Sequence, residues 1–139
     1  MNKKISNKAL ILGLGKTGCS ILRRLHQIGN TDLAAFDNNP SPAAKLLVEN
    51  FGCSWLTSAQ LSKAIVESNQ IFLSPGIPPN SIPTLSKYKN KIKNDISLFL
   101  ESRPTTVVAI TGTNGKSTVA NMLFHIGKKL HKRVVLAGN

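Results

Sequence analysis

The sequence predicts an α/β protein built on a parallel sheet, and three observations carry that prediction. Short aliphatic and aromatic runs, at 9–12, 33–36 and 70–73, read as buried strands. Amphipathic stretches of helical period lie between them. Glycine-rich turns, Gly13-Leu14-Gly15-Lys16-Thr17-Gly18 and Gly112-Thr113-Asn114-Gly115-Lys116-Ser117-Thr118, stand where an apolar run gives way to a helix.

Ala9-Leu10-Ile11-Leu12 is the first strand and runs straight into the first glycine turn. Ile21, Leu22, Leu25 and Ile28 mark one helix face, and Gly29-Asn30 offers its C-cap. Leu33-Ala34-Ala35-Phe36 is the second strand, with Asp37 at its end. This is a βαβ unit carrying G-x-G-x-x-G, with an acid near the ~20-residue spacing of nucleotide-binding sheets. It predicts a Rossmann-like domain able to hold a nucleotide diphosphate. Asp37 reads either as the nucleotide-contacting acid of that unit or as the cap of the following turn.

A turn at 38–42 precedes a helix over 43–51, and Cys53 to Leu56 reads as a short strand. A helix over 58–68 points Leu61, Ile65 and Val66 inward. The strand Gln70–Leu73 ends in Ser74-Pro75-Gly76-Ile77, a loop at the carboxyl end of a parallel strand, where open α/β sheets bind ligands. A basic helix over 83–91 and a short strand over 92–94 complete the first domain, set at 1–93.

The second domain, 94–139, opens on a helix capped by Asp95. Val107 to Ile110 reads as a strand and leads into the second glycine turn. A helix follows with Val119, Met122, Leu123, Ile126 and Leu130 on one face, and Arg133 to Ala137 is a further strand. Backbone N–H groups of such a turn converge on an anion, Lys116 reaches terminal phosphates and the Ser117 hydroxyl holds Mg²⁺. The spacing is shorter than the general P-loop, which needs glycine where Ile110 stands. One βα unit and one strand are too few to close such a sheet, so the chain reads as an N-terminal piece of a longer protein.

Composition bounds the partners. The 139 residues carry a formal charge of +12, from 18 Lys and Arg against 6 Asp and Glu, which favours anionic ligands. The basic residues are dispersed and the aromatics are not interleaved with them, so no nucleic-acid partner is expected. Cys19 and Cys53 read as reduced, core-facing thiols of a cytoplasmic protein. No apolar run approaches the ~18 residues of a membrane span, and no membrane insertion is expected.

Together the motifs resemble the N-terminal part of a Mur ligase. The marks are the turn at Gly13 to Gly18, Ser74-Pro75-Gly76-Ile77, Asp95-Ile96-Ser97-Leu98-Phe99, the octet Thr111 to Thr118 and Gly138-Asn139. The octet is shared with folylpolyglutamate synthetases, which lack the leading domain; its short spacing is the family's own form. Within the family the resemblance is to the members that add D-glutamate to UDP-N-acetylmuramoyl-L-alanine. It implies a cytoplasmic, ATP- and Mg²⁺-dependent ligase of peptidoglycan synthesis, monomeric, acting through an acyl phosphate. It also implies that Gly15, Lys16, Thr17 and Gly18 lie near pyrophosphate and uridine, with Asp37 near uracil. Ser74 and Gly76 would form the opposite lip, and Asn139 would touch the muramoyl group. Gly112 to Thr118 would hold ATP, Lys116 acting in catalysis and Ser117 on the metal. The family's other metal ligands, its carbamylated lysine and its amino-acid-binding domain would lie beyond Asn139, so the chain alone is expected to be inactive. The competing reading is a nucleotide-sensing Rossmann-type module without catalysis, which has no need of the octet.

Overall fold

The computed structural model describes residues 7–102 and 106–137, and these divide into two compact units after Ser102. In the first, five parallel strands stand in the order β3-β2-β1-β4-β5: β1 Ala9–Leu12, β2 Leu33–Phe36, β3 Ser54–Trp55, β4 Gln70–Leu73 and β5 Ile92–Lys93. Leu10 pairs with Ala34 on one side and Ile71 on the other. The chain winds outward from β1 to β3, then returns past β1 to lay down β4. Strand order therefore reverses at the β1–β4 boundary, the crevice where open sheets of this kind bind ligands.

Side chains alternate across the sheet, so each strand feeds two cores. Ile11, Ala35 and Phe72 face one side, covered by α1 (Lys16–Gln27) and α2 (Pro42–Asn50). Leu10, Leu12, Ala34 and Ile71 face the other, covered by α3 (Ser58–Glu67) and by Leu85 of a 3₁₀ run, Pro83–Lys91. All four residues of β1 are 0% exposed, the burial expected of a central strand covered on both faces.

Local signals act where the sequence places them. Ser41 caps α2, its Oγ accepting from the Ala44 N–H at 3.2 Å, with Pro42 opening the helix. Gly29 ends α1 at φ +82°, and the Asn30 N–H reaches back to the Leu25 carbonyl at 3.0 Å.

Three expectations about the first unit need correction. Val66 is half exposed, and Ala64 joins Leu61 and Ile65 on the buried face of α3. The Pro83–Lys91 segment is 3₁₀, broken at Tyr88, because Leu85 is its one buried residue and no apolar stripe holds an α-helix down. The cap of α4 (Asp95–Ser102) is Asn94, whose Oδ1 accepts from the Ser97 N–H at 2.8 Å. The compact division falls after Ser102, and Leu98 of α4 is buried in the core with α1.

In the second unit, α5 (Lys116–Lys129) forms as expected. The strands expected at 107–110 and 133–137 do not: neither pairs with a neighbour among the described residues. A strand is held by its ladder, and a lone apolar run has none. The apolar face of α5 is exposed, Met122 at 60% and Leu130 at 64%. Gly127 lets the returning chain approach, since a Cβ there would meet a methyl of Val134 at 2.6 Å.

Candidate functional site

The site is built where β1 and β4 end. Beyond Leu12 the chain turns at Gly13, φ +84°, a conformation that suits glycine. The Gly13 N–H donates to the Phe36 carbonyl at 2.8 Å, and the Leu14 N–H donates to Asp37 Oδ2 at 2.6 Å. Asp37 Oδ1 accepts from the Asn39 N–H at 2.8 Å. Gly15 then starts α1 with no side-chain cap and no acid in the first turn. The helix N-terminus thus keeps its partial positive charge for an outside anion.

The opposite lip starts from β4. The Ser74 N–H donates to the Leu12 carbonyl at 2.9 Å, and the Ile77 N–H closes a turn onto the Ser74 carbonyl at 2.9 Å. The lips touch through Gly13, where a Cβ would stand 2.8 Å from Ser74 Cβ and 2.9 Å from Ile77 Cδ1. Between them lies an open cleft of about 420 Å³, a size that suits a nucleotide-like ligand. A second cleft, of about 470 Å³, opens on the far side of the Ser74 loop, against Lys93 to Ser97. The Ser74 loop is thus a partition between two clefts at the carboxyl edge of one sheet.

Of the residues the sequence singles out, Gly15, Lys16, Thr17, Asp37, Ser74 and Gly76 line the first cleft together. Gly18 does not; it is buried, and a Cβ there would sit 1.8 Å from the Gly13 carbonyl oxygen. Its part is to let α1 pack against the loop. Gly13, Asn38 and Ile77 also line the cleft, although the sequence reading gives none of them a ligand contact. Gly13 is the first glycine of the motif and Ile77 the last residue of the Ser74 loop, whereas Asn38 carries no pattern of its own. Asn139 lies outside the described residues.

Cys19 is half buried beside the loop, its thiol donating to the Leu14 carbonyl at 3.2 Å; burial pushes that thiol up, with Arg23 opposing and Asp37 adding. Cys53 is buried in the core and its thiol is pushed up to about 12.

The second glycine turn is in the other unit. Gly112 and Gly115 take φ +153° and +76°, and Gly115 leads directly into α5. The Lys116 ammonium folds back into the loop, donating to the Gly112 carbonyl and, at 3.2 Å, to that of Thr113. Residues Thr111 to Thr118 are all exposed. A loop opening a helix, with an ammonium already seated in its mouth, is a donor set that fits a polyphosphate.

Residues 7–96 match the family described as Mur ligase MurD-like, N-terminal domain. The chain belongs to the MurD-like Mur ligases. Curated relatives extend the likeness past that domain. The UDP-N-acetylmuramoylalanine–D-glutamate ligase of Wolbachia pipientis wMel is 35% identical over 144 residues, covering 100% of this chain and 28% of its own length. The ligases of the same name from Roseobacter denitrificans and from Buchnera aphidicola subsp. Schizaphis graminum are 36% and 35% identical, over 93% and 95% of this chain and 30% of each relative. The chain therefore spans less than a third of the length of these Mur ligases. No helix among the described residues is long and apolar enough to cross a membrane.

Proposed function

We propose that this chain carries the UDP-substrate module and the ATP loop of a ligase that joins D-glutamate to UDP-N-acetylmuramoyl-L-alanine. The observation that carries the reading is the switch-point cleft, where six residues chosen from motifs converge beside an uncapped helix N-terminus. The names of the relatives support the choice of substrates.

In this reading the amides of Gly15, Lys16 and Thr17 and the Lys16 ammonium meet the diphosphate, where helix dipole and full charge act in the same direction. Asp37 bounds the cleft on the uracil side, and Ser74 and Gly76 close the other lip. Gly18 shapes the loop from beneath it, and Asn139 would contact the muramoyl group.

The reaction brings three anions together and joins two of them. The substrate carboxylate attacks the γ-phosphorus of ATP, ADP leaves, and the acyl phosphate so formed is attacked by the amine of D-glutamate with loss of phosphate. Gly112 to Thr118 would wrap the nucleotide's phosphates, and Lys116 would leave its two loop carbonyls to neutralise charge on the transferring group. Mg²⁺, held in part by the Ser117 hydroxyl, would supply further charge neutralisation. Positioning of the second substrate accounts for a large share of such a barrier reduction, about 7–11 kcal/mol in favourable cases. No D-glutamate site is recognisable among the described residues, and the 139-residue chain by itself is expected to release no phosphate.

Titration calorimetry of the chain tests this reading. UDP-N-acetylmuramoyl-L-alanine should bind more tightly than NAD⁺. Tighter binding of NAD⁺ would overturn it in favour of a nucleotide-sensing module.

A further inference from the structure

We propose that Asp37 is a positioning residue: a latch that sets the glycine loop through the Leu14 peptide. The inference rests on the reading of the cleft as a uridine-diphosphate site, and concerns how that site keeps its shape.

An acid at the end of the second strand commonly accepts from a ribose hydroxyl. Here both carboxylate oxygens are turned onto backbone: Oδ2 takes the Leu14 N–H at 2.6 Å and Oδ1 the Asn39 N–H at 2.8 Å. The Leu14 peptide is held from its other side too. Its carbonyl accepts from the Cys19 thiol at 3.2 Å, and its side chain is 3% exposed in the core. The neighbouring Gly13 N–H is tied to the Phe36 carbonyl, at the end of the same strand. Two successive amides of the loop are therefore fastened to the end of β2, one by backbone and one by a charged side chain.

The amides next in line, Gly15 to Thr17, open α1 and line the cleft. Their alignment on a diphosphate follows from where Leu14 is held. The latch needs an acceptor at both oxygens. A carboxylate provides two; an amide provides one and offers an NH₂ where the second N–H must be received. Asp37→Asn therefore separates a latch from a residue that merely lends one oxygen to a ligand. It also separates the latch from simple electrostatics: removing a negative charge beside an anion site should tighten anion binding, whereas breaking the latch should weaken it.

The experiment pairs amide hydrogen exchange of the unligated 139-residue chain, by NMR, with calorimetry using UDP. In the unaltered chain the Leu14 amide should exchange at least tenfold more slowly than free peptide. In Asp37→Asn that protection should fall about tenfold and UDP should bind about tenfold more weakly, the scale of one hydrogen bond to a charged group, while amides of β1 and β4 stay protected. An unprotected Leu14 amide in the unaltered chain overturns the latch without any variant. Unchanged or tighter UDP binding in Asp37→Asn, with the unaltered chain binding UDP, overturns the latch alone. Failure of the unaltered chain to bind UDP overturns the site reading and the latch's role in it together.

Discussion

Gly18 stands against Gly13 so closely that a Cβ on Gly18 would lie 1.8 Å from the Gly13 carbonyl oxygen. The third glycine of the motif is thus a packing residue for α1, and the first, at φ +84° against Ser74 and Ile77, is a packing residue between the two lips. Gly18→Ala should force α1 off the loop. Overpacking of this kind costs about 1–3 kcal/mol or more, a fall in melting temperature on the order of 10 °C for a domain this size. Thermal unfolding followed by circular dichroism reads the shift. A Gly18→Ala chain that melts with the unaltered one would show that the helix start is not tightly seated.

Leu98 ties α4 to the first unit. Leu98→Ala should cost about 2–5 kcal/mol, as for other large-to-small changes in a core, whereas Ile96→Ala on the same helix, at a side chain 62% exposed, should cost under about 0.5 kcal/mol. Urea denaturation of the two variants makes the comparison. Equal midpoints would detach the helix from the core.

The Cys53 thiol gives stability a dependence on alkaline pH. Its folded pKa is raised by burial from 9.0 to about 12, so the folded state keeps a proton the unfolded chain gives up. Stability from this group is complete below about pH 9 and declines as pH rises through the window toward 12. Urea midpoints at pH 8 and pH 10.5 should fall more for the unaltered chain than for Cys53→Ala. Lysine titration affects both chains alike, so parallel lines would refute the assignment.

The two nucleotide sites should be separable by mutation. In a protein extended to the length of its relatives, Lys116→Ala should abolish phosphate release dependent on UDP-N-acetylmuramoyl-L-alanine and D-glutamate. Affinity for the UDP substrate should stay within about twofold, since Lys116 and the cleft belong to different compact units. A phosphate-release assay beside calorimetry tests both halves. Parallel loss of affinity and turnover would place Lys116 in the substrate site.

Most of the first unit could be read from neighbours in sequence. Short runs of strand length marked all five strands to within a residue or two, and Gly29, Ser41 and Gly76 marked turns by their own backbone chemistry. Of the six cleft residues, Gly15, Asp37, Ser74 and Gly76 stood out by the glycine fingerprint and their strand-end positions, and Lys16 and Thr17 through the family resemblance. These are short-range effects, and short-range spacing records them.

What packing alone decides has no such record. Asp37 faces the Leu14 amide because β2 lies beside β1 in the sheet, a pairing between residues 23 apart. Whether Val66 or Ala64 turns inward depends on which helix face meets the sheet, and Leu98 belongs to the first unit because its side chain is buried in the same core as Ile21, Leu22 and Leu25 of α1. The runs at 107–110 and 133–137 make the same point in reverse. Their composition is that of strands, yet a strand exists only when a neighbour completes its hydrogen bonds, and among the described residues none does.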